Sequence, residues 1–247
     1  MRLSVIIPSV LALMVLLCGG PMLALLLPAV QAAREAARRI HCANNLANIS
    51  LAMVNYQTRY GAFPPAYIPD KNGKPMHSWR VLLLPDLERS DLYNAYRFDE
   101  PWDSPNNRKV SQTVIRLFQC PSARHAADDC TTDYMMVVGP HTITDGAHGK
   151  KLSQITDGVS HTIMLVEVAN SGVNWAEPKD LQFDQLDFKI KNDSQSLCIG
   201  SHHPSGCNVT FCDGHICFLT NSTTPEQLKA LLTADSGDKI PDWPDDD

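Results

Sequence analysis

Three histidines and three cysteines crowd the twenty residues from Gly200 to Leu219, GSHHPSGCNVTFCDGHICFL. Imidazole nitrogen and thiolate sulfur are ligands that zinc favours, and closely set thiols are also the material of disulfides. Asp213-Gly214 lies between two apolar, β-branched runs and supplies the positive φ of a tight hairpin turn. With these two as the central turn residues, Cys212 pairs with His215, Phe211 with Ile216, Thr210 with Cys217 and Val209 with Phe218. Side chains alternate along a strand. Val209, Phe211, Ile216 and Phe218 then form a core face, and Thr210, Cys212, His215 and Cys217 the other. One expectation is therefore a zinc set of Cys212, His215 and Cys217, completed by His202 or His203. A flat hairpin splays its side chains, so disulfides compete for the cysteines if the domain lies in an oxidising compartment. Cys120 and Cys130, separated by a short polar loop, are the expected pair. For His203 a plainer role is a hydrogen bond to a turn or strand carbonyl. Ligand or partner binding at the hairpin loops is its alternative, and Asp213 serves the turn.

The compartment depends on the other end of the chain. Its 247 residues, 44% hydrophobic and 19% charged, suffice for one packed domain with an appendage or for two small domains. A formal charge of -6 offers no basic field and argues against nucleic acid as a partner. Residues 3–30 carry no charge, and about 20 apolar residues span a bilayer. A cleaved signal peptide has a shorter apolar core, so residues 1–30 are expected to be a retained signal-anchor. Arg34, Arg38 and Arg39 would hold the following end in the cytoplasm by the positive-inside tendency. The eight cysteines point the other way.

Beyond Pro28 the chain is rich in Ala, Arg and Glu, which favour helix. Cys42, Leu46, Ile49, Met53, Tyr56 and Tyr60 recur at spacings of four and three on one stripe. Gly61 and Pro64-Pro65 stop the helix. Residues 31–60 are thus expected as the outer half of a helix that starts in the membrane, and residues 61–247 as an extracytoplasmic α+β domain with an acidic tail. Two short helical turns are expected over Ser78 to Tyr96, broken at Pro85. Val114–Cys120, Asp133–Gly139 and His161–Ala169 read as strands, and Thr224–Thr233 as a closing helix. The expected architecture is one long helix packed on an antiparallel sheet.

Catalytic signatures are absent: no nucleophile elbow, no phosphate-binding glycine loop and no HExxH. An enzyme is not expected. Trp79, Trp102 and Trp175 would suit a sugar or small solute if they lined a pocket. The acidic loop from Asp99 to Asn107 is the candidate for calcium, although its spacing is not that of a calcium loop.

The stretches LLLPAVQAAREAARR, CANNL, NYQTRYGAFPP, SWRVLLLPDLERSDLYNAY, FQCPS, DGVSHTIMLVE and WAEPKDLQF occur in this order. They are followed by His203, nine residues, and Asp213-Gly214. In this the chain resembles the DUF1559 family, the bacterial prepilin-like H-X9-DG proteins of unknown function, over Leu25 to about Thr233. The resemblance implies a type IV pilin-like or pseudopilin-like fold. It implies a cytoplasmic N-terminus, and an outer domain at the periplasm or cell surface meeting envelope proteins as partners. One profile of that family carries a solute-binding label, which keeps a solute- or glycan-binding module as the alternative.

The front end departs from the prepilin pattern. If Pro28 is its helix proline, the cleavage glycine should fall at Ile6 and the fifth-position glutamate at Leu11. Neither residue type is present, which implies an uncleaved anchor that does not polymerise by the usual route. Mass spectrometry of the native N-terminus should therefore find the first six residues retained. A chain beginning near residue seven would show pilin-type processing after all.

Overall fold

Alanine, leucine, arginine and glutamine make helix α1 (Gly20–Tyr60), 41 residues long and continuous through Pro28. This computed structural model describes residues 20–192 and 197–241, with side chains from residue 26 onward. Most of the expected anchor, residues 1–30, lies outside the described residues. Among those described, no helix is long and apolar enough to cross a membrane. Gly61, at φ +77°, ends α1 and donates its N–H to the Gln57 carbonyl at 2.8 Å, as a C-terminal glycine cap does.

Strands β1 (Tyr67–Pro69) and β2 (Pro75–Ser78) form a small antiparallel hairpin. The expected turns follow as α2 (Trp79–Leu82), a 3-10 turn at Leu84–Leu87 and α3 (Ser90–Ala95). The loop after them is closed by α4 (Asn107–Ser111). Val114–Cys120 is not a strand. It holds a 3-10 turn at Arg116–Phe118, because Ile115 and Phe118, three apart, are the side chains it buries in the core.

The rest is sheet. Strand β3 (Tyr134–Met135) and β4 (Val137–Val138) divide the expected Asp133–Gly139 strand, and β5 (Ile163–Glu167) lies within His161–Ala169. After β6 (Leu181–Gln182) come the hairpin strands β7 (Gly206–Phe211) and β8 (Ile216–Thr220), then α5 (Pro225–Leu232). The main sheet runs β3-β5-β7-β8 and is antiparallel throughout, while β4 and β6 pair in parallel. Thr224 caps α5 by accepting from the Gln227 N–H, and the Gln227 side chain reaches back to the Thr224 N–H at 2.9 Å.

The hairpin is offset by one residue from its expected register. Thr210 pairs with Ile216, Val209 with Cys217 and Asn208 with Phe218. Its loop has three residues, Cys212-Asp213-Gly214, with Gly214 at φ +94°, the turn that places a left-handed residue before the second strand. A one-residue offset turns the side chains of the second strand to the opposite face. Ile216 and Cys212 accordingly join the core under α1, where the Arg39 guanidinium also sits over the Phe218 ring. Cys207, Val209, Phe211, Cys217 and Leu219 face a second core, closed by Leu228, Leu231 and Leu232 of α5. Both faces of the hairpin are covered.

The stripe of α1 is buried at Cys42, Leu46, Ile49 and Met53, then emerges through Tyr56 to Tyr60, which is 62% exposed. Leu51, on the opposite face, is 60% exposed. Leu46→Ala should cost about 2–5 kcal/mol in urea unfolding of the full chain, whereas Leu51→Ala should stay within about 0.5 kcal/mol. Equal effects would mean that α1 is docked by another face.

Candidate functional site

Seven residues before Cys42, two turns back along α1, stands Glu35. Its carboxylate reaches the His203 ring: Nδ1 lies 2.6 Å from Glu35 Oε1. Arg38, one turn along, donates its Nε to Glu35 Oε2 at 2.8 Å, and the Ser122 hydroxyl donates to Oε1 at 3.1 Å. His203 lies on the segment leading into β7 and is 1% exposed. The Ser201 hydroxyl holds this segment by accepting the His203 N–H at 3.0 Å and donating to the Gly206 carbonyl at 2.7 Å.

The other ring nitrogen, Nε2, faces Cys120 Sγ at 3.4 Å and Glu167 Oε1 at 3.6 Å. Glu167 ends β5, fully buried. Asn208 on β7 fixes its carboxylate, donating its backbone N–H to Oε2 at 2.7 Å and its side-chain amide to Oε1 at 3.0 Å. Cys120 in turn faces Cys42, with 2.6 Å between the sulfurs. The Asp133 carboxylate holds the Cys120 backbone by accepting its N–H at 2.6 Å, and His125 bridges Asp133 and Asp129 at 2.7 Å to each. Among the described residues one group of ligand-type atoms converges: those of Cys42, Cys120, Glu167 and His203, all within 4.8 Å of one another.

Burial alone lowers the pKa of an imidazole. The hydrogen bonds to Cys120 and Glu167 and their charges outweigh it, so His203 is pushed up to about 10 and is an imidazolium at neutral pH. Burial raises Glu35, but its hydrogen bonds to His203, Arg38 and Ser122 win and hold it below the usual carboxylate range. The hydrogen bond from Cys42, working against burial and helped by His203, brings Cys120 down to about 6, while Cys42 is raised chiefly by that same bond. The arrangement is a buried cation between two carboxylates, with a pair of sulfurs against it.

Of the residues singled out in the sequence, only His203 and Cys120 meet here. Cys120 faces Cys42 rather than Cys130, whose thiol donates to the Asp128 carbonyl at 3.4 Å. His203 bonds the Glu35 carboxylate instead of a turn carbonyl. Asp213 and Gly214 lie in the turn, but as the last two of three residues rather than its central pair, and Asp213 also holds His215 Nδ1 at 2.7 Å while that ring stacks on Phe211. The expected zinc set is dispersed by the register offset, with Cys212 in one core, Cys217 against the other and His215 outside. His202 borders a different surface cleft, with His125 and Asp129.

The tryptophans are not a sugar platform. Trp79 is buried, its indole N–H donating to Asp180, and Trp175 is buried against Phe118, donating to the Thr113 carbonyl at 2.9 Å. Trp102 packs on the main core. In the acidic loop, Glu100 accepts from the Asn106 side chain, and Asn107 braces the backbone at Arg97, Glu100 and Pro101. Glu35, Cys42 and Glu167 had escaped sequence reasoning. The heptad step from Cys42 back to Glu35 was the one local signal.

The class defined by these features is an α+β protein whose long N-terminal helix is locked to its sheet through a polar cluster. Residues 31–151, a little under half of the chain, match the family model described as "Protein of unknown function (DUF1559)", and through that stretch the chain is similar to the DUF1559 family. The matched stretch contains Glu35, Cys42 and Cys120 and stops short of Glu167 and His203. No curated protein and no solved structure matches the chain.

A histidine raised by folding contributes stability that is complete below its unfolded pKa of about 6.5 and is lost as pH rises through the folded value. With Cys42 and Cys120 reduced, wild-type stability to urea should therefore fall between pH 6.5 and 10 by an amount on the order of a few kcal/mol. His203→Gln should be less stable at pH 6.5 and show a clearly shallower fall. Parallel pH profiles for the two would remove the imidazolium from the account.

Proposed function

We propose that the chain is a membrane-anchored, pilin-like envelope protein with a structural or interaction role and no catalytic one. The observation that carries this reading is the change of surface along α1. Leu26, Leu27, Val30 and Ile40 are 59%, 64%, 45% and 60% exposed, whereas from Cys42 to Met53 the stripe is buried in the domain. Apolar side chains left in the open on a helix fit a bilayer boundary or a neighbouring helix better than water. That end of α1 overlaps the uncharged stretch of residues 3–30.

Trp79 and Trp175 are committed to the core and Trp102 packs against it, which favours an interaction role over sugar capture. Its partners on this reading are other envelope proteins, and its position is extracytoplasmic.

Membrane fractionation tests the anchor. The full-length chain should sediment with membranes, resist alkaline carbonate and dissolve in detergent, while residues 31–247 alone should be found in the soluble fraction. Release of the full-length chain by carbonate would overturn the reading. Protease added to intact spheroplasts should digest the outer domain, and its protection would overturn the orientation.

A further inference from the structure

The sulfurs of Cys42 and Cys120 lie 2.6 Å apart, both buried, one on α1 and the other just after the 3-10 turn at Arg116–Phe118. Carbon atoms already repel below about 3.5 Å, and sulfur is larger, so two unbonded sulfurs do not rest at this separation. A tetrahedral zinc with sulfur at about 2.3 Å would hold two thiolates about 3.8 Å apart. The His203 and Glu167 contacts, at 3.4 and 3.6 Å, are compatible with such a site. The two sulfurs are not, and they are closer than a shared metal allows.

We infer that Cys42 and Cys120 form a disulfide that fastens α1 to the outer domain beside the Glu35–His203–Glu167 cluster. It forms by thiol–disulfide exchange with a disulfide-bearing acceptor, either an oxidoreductase or a small disulfide. The Cys120 thiolate attacks one acceptor sulfur, making a mixed disulfide and releasing the first acceptor thiol. The Cys42 thiol gives up its proton and attacks Cys120 Sγ, which releases the second. Two protein thiols become one S–S bond, and the acceptor takes up the two electrons and two protons. Cys120 is the one to react first, because it borders an open surface cavity of about 440 Å³ with His41, Asn45 and His125. The neighbouring His203 imidazolium, 3.4 Å from its sulfur, favours the thiolate.

The test needs no anchor and no partner, so it stands apart from the outcome of membrane fractionation. Full-length protein purified without reductant is denatured in iodoacetamide and digested with trypsin. Cys42 then falls in the peptide Ile40–Arg59, Cys120 in Leu117–Arg124 and Cys130 in a third peptide. The expected product is the first two joined, two hydrogens lighter than their sum and separated by reductant. Both peptides carrying the alkyl group, or Cys120 joined to Cys130, would overturn the inference. So would one equivalent of zinc on the native protein with both cysteines alkylated after denaturation. As a second measurement, reduction of wild type should lower its folding constant by roughly 30- to 1000-fold. Cys42→Ser/Cys120→Ser should be insensitive to reductant, and equal sensitivity of the two proteins would count against the bond.

Discussion

A buried imidazolium shared by two carboxylates holds the long helix to the sheet. Glu35 comes from α1, Glu167 from the end of β5 and His203 from the approach to β7, so three elements distant in sequence meet at one ring. Each of these charges is expensive away from water, and each is compensated only when all three elements are in place. The apolar stripe of α1 supplies most of the burial, but leucines tolerate a helix that slides or turns slightly. The Glu35–His203 contact does not. A shift of α1 by one residue would withdraw its carboxylate and leave the cation short of a partner, so the polar cluster sets the register that the stripe alone leaves loose.

A second buried pair performs the same service on the other side of Tyr134. Arg80, fully buried, donates to Asp180 Oδ1 at 2.8 Å and to the Tyr134 carbonyl at 2.9 Å. Asp180 also accepts the Met136 N–H and the Trp79 indole. Asp180 immediately precedes β6 and Met136 immediately precedes β4, so this carboxylate aligns the two short strands side by side. That accounts for the parallel pair in an otherwise antiparallel domain. Asn45, one turn from Cys42 on α1, donates to the Tyr134 hydroxyl at 3.4 Å. Tyr134 therefore touches both networks, its hydroxyl from the helix side and its carbonyl from the Arg80 side.

What could be read in the sequence was what depends on neighbours along the chain. The stripe from Cys42 to Met53, the stop at Gly61 and the closing helix after Thr224 are local patterns, and each has its structural counterpart, whereas Pro85 opens a 3-10 turn rather than breaking the chain between two helices. The hairpin was legible as a hairpin. Its register was not, because Asp-Gly serves a two-residue turn as well as the last two positions of a three-residue one. That single residue decided whether Cys212 and Cys217 shared a face. The segment before Cys120 misled through its β-branched composition, when the three-residue spacing of Ile115 and Phe118 was the better guide. The site itself could not be assembled, since Glu35, Cys120, Glu167 and His203 belong to four separate segments with no fixed interval between them.

The spacing of the His203–Asp213-Gly214 motif has a mechanical meaning. Strand β7, six residues and about 20 Å long, lies between the histidine and the turn. Its face toward α1 carries Asn208, which fixes Glu167, and its other face lines the core under α5. Because faces alternate with a period of two, inserting or deleting one residue between His203 and Asp213 would exchange those faces over part of the strand. The histidine would then meet the carboxylates only if the strand buried its polar side chains in the wrong core. Nine intervening residues are the distance at which the turn, the alternation of β7 and the reach of His203 to α1 are all satisfied together. The motif thus records a length of strand rather than a pair of reacting groups, and its two ends, 203 and 213, never need to touch.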